Sequence, residues 1–304
     1  MQITSRKIGR VHQKLVSWFH SHGRTLPWRE IDDPYAILVS ELMLQQTQVS
    51  RVLPKYEEFL RKYRTKEELG RASLSDVLLI WSGLGYNRRA KYLWQIAQKT
   101  AYKDFPKTFS GLTDLPGIGE NTANAILSFA YKKPYPILDV NAKRVLSRLF
   151  WGENTPKLKT SWFRFAKTVF PKEAKRQYQW NQALMDLGAL ICVQENPLCL
   201  RCPLLLECIF GKTILKGKTK RKPLKKKKNI PFSESRRFVR GQIIKTLLHH
   251  PRGAFLHQNE IAERITLTSK QEREFFSILE TLVNEGMLEK SSKDSLYYRL
   301  PSSN

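Results

Sequence analysis

The chain has 304 residues, with 53 lysines and arginines against 27 aspartates and glutamates and a formal charge of +26. That length holds about two domains of ~150 residues, and 41% hydrophobic residues with seven tryptophans exclude a chain that is disordered throughout. The Met1–Lys7 segment has no apolar signal core and no run reaches the ~18–20 apolar residues of a membrane span, so a cytoplasmic protein without membrane contact is expected. An excess of cations this large repels itself, and nucleic acid is the partner class that would relieve it.

Residues 1–215 read as amphipathic helices with short polar breaks. Val11, Leu15, Trp18 and Phe19 keep helical spacing, and so do Ile37, Leu38, Leu42, Leu44 and Val49. The breaks fall at Leu26-Pro27-Trp28, Asp33-Pro34, Gly83-Leu84-Gly85 and Leu115-Pro116-Gly117-Ile118-Gly119. With little alternation and few β-branched runs, this block is expected to be all-α. Nine of the thirteen residues from Lys216 to Lys228 are Lys or Arg, and Pro223 interrupts any helix. Residues 216–232 are therefore expected to form a basic linker able to lie along a phosphate backbone.

Residues 233–304 form a separate small α+β module by pattern. Val239, Ile243 and Leu247 mark one helix, Asn259–Arg264 a second, and Phe275, Ile278, Leu279, Leu282 and Val283 a third. Met287–Lys290 and Leu296–Leu300 flank Ser292-Lys293-Asp294 as a hairpin. Three helices followed by a hairpin is the winged-helix plan, which often meets DNA through its third helix. His257–Asn304 nevertheless carries eight acidic and six basic residues, so contact with a protein partner or packing within the chain stands beside base readout.

The four cysteines fall in one short stretch, Cys192-x6-Cys199-x2-Cys202-x5-Cys208. In a reducing compartment such clustering points to a metal centre rather than disulfides. Structural zinc sites use two short knuckles, and only one spacing here is that short. The longer gaps suit a loop around a larger body, so a [4Fe–4S] cluster held by the 192–208 loop stands ahead of zinc. With four thiolates as ligands no open position remains, and the centre is structural.

Gly117 and Gly119 allow a tight turn whose backbone N–H groups face outward at the start of a helix. That arrangement suits one DNA phosphate, although a simple packing elbow also uses Pro-Gly. About twenty residues on, Asp139 precedes Val140-Asn141-Ala142-Lys143-Arg144. It reads either as a helix N-cap or as a carboxylate kept ionised by the following helix and facing the sugar of a bound nucleotide. The pattern leaves both open.

Taken together, these residues resemble the helix–hairpin–helix DNA glycosylases with an iron–sulfur loop, the endonuclease III superfamily, over roughly residues 5–212. Within that superfamily, Ser40-Glu41-Leu42-Met43-Leu44-Gln45-Gln46-Thr47-Gln48-Val49 is similar to the signature of adenine DNA glycosylases of the MutY type. So are Leu26-Pro27-Trp28-Arg29, Gly83-Leu84-Gly85-Tyr86 and Asn181-Gln182-Ala183-Leu184-Met185-Asp186-Leu187-Gly188.

The resemblance implies a two-lobed glycosylase domain over residues 1–215 that hydrolyses the N-glycosidic bond of adenine mispaired with 8-oxoguanine or guanine in double-stranded DNA. It implies that Glu41, set among apolar neighbours that raise a carboxyl pKa, protonates N7 of the leaving adenine. Asp139 would remain ionised and stabilise the oxocarbenium-like sugar, the same division of labour as in glycoside hydrolysis. Asn121 and Asn141 would support Asp139. Arg24, Trp28, Leu44 and Gln182 would hold the flipped base. Gln46 and Tyr86 would wedge into the stack, and Gly117, Gly119 and Lys143 would meet the backbone. The cysteines Cys192, Cys199, Cys202 and Cys208 would bind the cluster.

This chain departs from the family pattern in places. Asn121 stands where strand-cutting relatives place a lysine, and an amide cannot form the Schiff base of a lyase, so a monofunctional enzyme is expected. Asn121 also departs from the Ser or Tyr usual in adenine glycosylases. The usual C-terminal domain that reads 8-oxoguanine is replaced by the linker and winged-helix-like module. Asn87 follows Tyr86 where a second Tyr is common, and Val193–Leu198 carries no cation. Two other readings stay open: a mismatch thymine glycosylase of the same fold, and a noncatalytic DNA-binding scaffold whose C-terminal module recruits a protein. A monomer is expected in each case.

Overall fold

A computed structural model describes residues 4–29, 31–152, 162–217 and 231–301. The basic run that pattern assigns to a linker lies outside the described residues except at its two ends. In chain order the α-helices are α1 (Ser5–His22), α2 (Pro34–Leu44), α3 (Val49–Lys62), α4 (Lys66–Arg71), α5 (Leu74–Trp81), α6 (Arg88–Thr100), α7 (Phe109–Thr113) and α8 (Glu120–Phe129). They continue with α9 (Val140–Phe150), α10 (Trp162–Val169), α11 (Ala174–Leu190), α12 (Ile209–Leu215), α13 (Arg236–Leu248), α14 (Gln258–Glu263) and α15 (Ser269–Asn284). Among the described residues every strand lies in the C-terminal module: β1 (Leu256–His257), β2 (Glu289–Lys290) and β3 (Tyr297–Arg299).

Local chemistry accounts for many of the helix starts. Thr4, Thr65, Ser73, Thr108, Asp139, Ser235 and Thr268 each accept a backbone N–H with the side chain at the N-cap. Thr268 and Gln271 close a reciprocal capping box at α15. The apolar run Ile37–Val49, which reads as one periodic stretch, is two helices. The chain breaks between Leu44 and Val49, where Gln46 takes φ +56°. A left-handed residue cannot continue an α-helix.

The described residues fall into two compact units. One comprises Met1–Ile37, Pro106–Asp114 and Ile118–Pro223. Its core packs α1, α9 and α11 through Val11, Leu15, Val145, Leu146, Leu149, Trp180, Ala183, Leu184 and Leu187. Close approach of α9 and α11 depends on Gly188, where an added Cβ would lie 2.6 Å from the Asn141 Cβ.

The other unit comprises Leu38–Phe105, Leu115–Gly117 and Leu224–Asn304. Here α3 buries Val52, Tyr56 and Phe59, and α5 buries Val77, Leu78, Ile80 and Trp81. The C-terminal module is three helices and a small antiparallel sheet ordered β1-β3-β2, with Leu256 opposite Tyr298 and Glu289 opposite Arg299. The hairpin forms where the alternation places it. Strand β1 is too short to leave a pattern in the sequence and is the element that reading missed.

The module packs against the helices of its own unit, which realises the intramolecular option among the three that its charge balance leaves. Arg252 pairs with Asp76 at 2.5 Å, and Ser75 Oγ donates to the Pro301 carbonyl at 3.3 Å. Lys91 donates to the Glu285 carbonyl and Arg88 pairs with the Glu285 carboxylate at 3.9 Å, a group that Arg240 holds from within the module.

The centre of this unit is a cation. Arg89, 6% exposed, sends Nη1 to the carbonyls of Leu42, Met43 and Gln45 and Nη2 to those of Leu84 and Gly85 and to Thr47 Oγ1, all between 2.5 and 3.2 Å. One guanidinium thus satisfies the orphan carbonyls at the end of α2 and those of the turn after α5. Burial pushes its pKa down to about 10, so it stays charged at neutral pH. Arg89→Met should leave those acceptors without a donor and lower the unfolding free energy by about 3–5 kcal/mol, read as a fall in the urea midpoint; an unchanged midpoint would show that water replaces the guanidinium at no cost.

Candidate functional site

In the first unit the site is built at the head of α9. The segment leading into it is held by Asn181, 1% exposed, which accepts from the Ile137 N–H at 3.1 Å and donates to the Tyr135 carbonyl at 2.9 Å and to Ser128 Oγ at 3.0 Å. Asp139 follows as the N-cap. Its Oδ1 accepts from the Ala142 N–H at 2.7 Å and its Oδ2 from Asn141 Nδ2 at 3.3 Å. The N-cap reading of this carboxylate is therefore correct in geometry, and it does not exclude chemistry. Burial pushes the Asp139 carboxyl above the ordinary aspartate value, opposed by the Ala142 and Asn141 hydrogen bonds and the nearby Arg144 charge. The helix terminus thus only partly offsets the burial, and Asp139 is less readily ionised than the sequence argument expects.

Asn141 is fixed from behind. Arg144 Nη2 donates to Asn141 Oδ1 at 2.6 Å and to the Gly188 carbonyl at 2.7 Å, while its Nε donates to the Cys192 carbonyl at 2.7 Å. A continuous hydrogen-bonded chain, Asp139–Asn141–Arg144, therefore ends on the first cysteine of the loop. Asn121, expected to support Asp139, lies on the exposed first turn of α8 and is not among the hydrogen-bond partners of Asp139 in this structure. Lys143 is half-buried on the first turn of α9.

Two of the expected base-contacting residues sit around a buried ion pair. Asp186, 0% exposed, accepts from the Arg24 backbone N–H at 2.8 Å, from Arg24 Nε and Nη2 at 2.8 and 2.6 Å, and from Arg29 Nη1 and Nη2 at 2.8 and 2.7 Å. The Arg24 guanidinium is thus engaged by Asp186, and what it holds directly is the Arg24–Arg29 segment in which Trp28 lies buried. Arg29 and Asp186 carry no chemical role in the sequence reading, though both lie inside motifs it singles out. Gln182 is buried on the same helix as Asp186, at 2% exposure.

The hairpin between α7 and α8 uses its glycines unequally. Gly117 is left-handed at φ +76°, with a Cβ position 2.3 Å from the Tyr92 ring. Gly119 is extended at φ −92°, ψ 179°, and caps α8 without a side-chain hydrogen bond. A Cβ there would meet nothing within 4 Å. With no side chain at the N-cap, Gly119 leaves room for another group to approach the N-terminal end of α8, where an anion is favoured.

In the second unit Glu41 is the half-buried polar position of α2 between Ser40 and Leu42, both buried. Leu44, half-buried, ends that helix. Four described non-glycine residues have positive φ, and Gln46 (+56°) and Tyr86 (+49°) are two of them. Both expected wedge residues are thus held in strained backbone, and the Arg89 guanidinium clamps both turns.

The four cysteines line one pocket with Arg148, Ile191, Pro197, Leu205 and Phe210. Burial pushes the Cys202 thiol up to about 12 and the Cys208 thiol up to about 11, and the neighbouring cysteines push the same way. Donors already face the sulfurs: Gly211 N–H donates to Cys208 Sγ at 3.3 Å, and Arg148 Nη1 to Cys192 Sγ at 3.4 Å. Arg148 also bonds the Val193 and Gln194 carbonyls at 2.7 and 2.9 Å, so a cation from α9 holds the start of that loop. No three His, Cys, Asp or Glu side chains among the described residues are drawn together as ligands of a single metal ion. The donor set fits a thiolate-bound centre.

Residues 39–169 match the family model of HhH-GPD superfamily base excision DNA repair proteins. The chain is 37% identical over 234 residues to the adenine DNA glycosylase of Buchnera aphidicola subsp. Schizaphis graminum, covering 75% of this chain and 66% of that protein. It is 38% identical over 197 residues to the adenine DNA glycosylase of Mycobacterium tuberculosis, covering 62% of this chain and 64% of that protein. The chain thus spans somewhat under two thirds of the length of these relatives. Among solved structures, a thermostable thymine-DNA glycosylase superposes with a TM-score of 0.64 at 27% identity, over 70% of this chain and 100% of that one. No helix among the described residues is long and apolar enough to cross a membrane.

The Asp186 network has a pH signature. Burial opposes ionisation of Asp186, but the Arg29 hydrogen bonds, the Arg24 N–H and the Arg29 charge outweigh it and hold the carboxyl below its ordinary value. A depressed carboxyl pKa contributes stability that is present above the unfolded-state value of about 3.9 and lost as pH falls through the folded-state value. Asp186→Asn should therefore remove this part of the acid-denaturation profile and, by leaving two guanidiniums unpaired, cost about 3–5 kcal/mol at pH 7. Parallel urea titrations from pH 3 to 7 check both, and parallel pH profiles for the two proteins would contradict the assignment.

Proposed function

We propose that this chain, which carries an HhH-GPD base excision repair domain over residues 39–169, is a monofunctional glycosylase that excises adenine mispaired with 8-oxoguanine or guanine in double-stranded DNA. The observation that carries the reading is the half-buried Asp139 carboxylate, oriented by Ala142 and Asn141 at the head of α9, in a chain similar to adenine DNA glycosylases. Adenine leaves poorly as an anion. Glu41 serves as the acid that protonates its N7, and Asp139 as the anion that stabilises the oxocarbenium-like sugar and directs water to C1′. Trp28, Leu44 and Gln182 are each assigned to contact with the flipped base, and Arg24 holds the Trp28 segment through Asp186. Gln46 and Tyr86 fill the space the base vacates, and Gly117, Gly119 and Lys143 meet phosphates. Asn121 offers no amine for attack on C1′, so strand cleavage does not follow excision.

The thymine-DNA glycosylase superposition favours one rival, excision of thymine opposite guanine. Single-turnover assays on A:8-oxoguanine, A:G and T:G duplexes separate the two, and activity on T:G alone would overturn the adenine reading. Glu41→Gln and Asp139→Asn should each slow adenine excision by about 10²-fold or more while leaving duplex binding intact. Excision should also fall on acidification through a pKa above the ordinary aspartate range, following the raised Asp139 carboxyl. Wild-type turnover in Asp139→Asn would remove that residue from the chemistry.

Cys192, Cys199, Cys202 and Cys208 are assigned as ligands of a [4Fe–4S] cluster, with zinc the alternative. These four thiolates would hold the group, which would supply a structural cross-link within the 192–208 loop. The larger body is favoured by the six- and five-residue gaps around the one short knuckle, and the four cysteines line one pocket. Purified protein should contain iron and acid-labile sulfide in equal amounts and absorb in the visible range. Stoichiometric zinc without sulfide would decide for the alternative.

A further inference from the structure

The turn after α5 and the N-terminal end of α13 meet through a ladder of alternating rings and guanidiniums. Arg89 lies over the Trp81 ring at 5.5 Å and over the Tyr86 ring at 5.2 Å. Arg237 lies over the Tyr86 ring at 4.7 Å and over the Phe232 ring at 5.1 Å, and it also donates to the Tyr86 hydroxyl. Phe232 is braced edge-on by Phe238 at 5.7 Å and remains 57% exposed. The inner end of this ladder, Trp81 and Arg89, is buried, whereas Phe232 and Arg237 face solvent. Arg237 forms no ion pair among the described residues, although its neighbour Arg236 pairs with Glu274.

An exposed aromatic ring beside an unpaired guanidinium, backed by rigid core, is the surface on which an unstacked nucleic acid base gains stacking and cation–π energy. Extracting one base from a duplex leaves its partner unpaired. We propose that Phe232, Arg237 and Tyr86 form a stacking site for that unpaired partner base, so that the C-terminal module is part of the DNA-reading surface. The inference rests on the glycosylase reading for its DNA substrate and goes beyond it in assigning the module a ligand. Phe232 offers the open ring face and Arg237 the planar cation, while Tyr86, held between Arg89 and Arg237, backs them from the α5–α6 turn. Purines, with the larger π-face, are favoured over pyrimidines.

The test uses the full chain and two duplexes that differ at one position. The first carries 2-aminopurine opposite a tetrahydrofuran abasic analogue, which presents an unpaired fluorescent base. The second carries abasic analogues on both strands. The unsubstituted protein should quench 2-aminopurine on binding and prefer the first duplex. In Phe232→Ala and in Arg237→Lys that preference should shrink on the order of tenfold and the quench diminish. Arg237→Lys keeps the charge, so the salt dependence of binding should stay unchanged. Circular dichroism confirms that each variant is folded, which the exposure of both side chains favours. Undiminished quench and preference in both folded variants would reduce the ladder to an internal brace. Equal loss on both duplexes would identify a phosphate contact instead of a stacking site; either result overturns the inference while adenine excision by the unsubstituted chain leaves the functional reading standing. Failure of the unsubstituted chain both to bind these duplexes and to excise adenine would overturn the two together.

Discussion

A single buried guanidinium organises the second unit. Arg89 satisfies carbonyls from the end of α2 and from the turn after α5, two segments separated by some forty residues of chain. Each would otherwise present unpaired acceptors to a closed core, a cost of about 1–3 kcal/mol apiece. Meeting both with one planar donor set ties the turns together and makes their backbone conformations interdependent. This is why Gln46 and Tyr86 can occupy left-handed φ, a state that persists only where surrounding structure over-determines it.

The first unit applies the same device with the charges reversed. Asp186 is fully buried and collects five N–H donors from Arg24 and Arg29, which fixes the segment containing Trp28. Two residues further along α11, Gly188 lets α9 approach closely enough for Arg144 to bridge Asn141 and Cys192. The candidate catalytic carboxylate and the cysteine loop are thereby members of one hydrogen-bonded structure. A loop closed by a thiolate-bound centre would hold Arg144 in register, and through Asn141 it would hold Asp139.

The C-terminal module belongs with the helices of the second unit in this structure. Its ion pairs to the neighbouring helices, Arg252 to Asp76 and Arg88 to Glu285, and the Lys91 hydrogen bond to the Glu285 carbonyl are individually modest at a partly exposed surface. Together with the Phe232–Arg237–Tyr86 ladder they orient α13 beside a turn that carries a candidate wedge residue. The acidic excess of the module lies in His257–Asn304, while its first helix is basic, so Glu285 serves as an internal contact and α13 presents arginine.

Much of this was legible in the chain. Apolar periodicity located the helices, because burial of one face demands it. Cap residues marked many of their starts, and the hairpin of the module followed from alternation. The motif residues of the candidate site were identifiable by type and spacing, and Asp139 was placed correctly at a helix start. Tertiary structure alone decided what each polar group faces. That Arg89 is the internal donor for two turns, that Asn121 points to solvent and not to Asp139, and that Asp186 engages Arg24 depend on contacts between residues far apart in sequence. Such contacts leave no local period. The direction of the Asp139 pKa likewise depends on how much water the fold removes, a quantity that belongs to the packed molecule and not to any stretch of its chain.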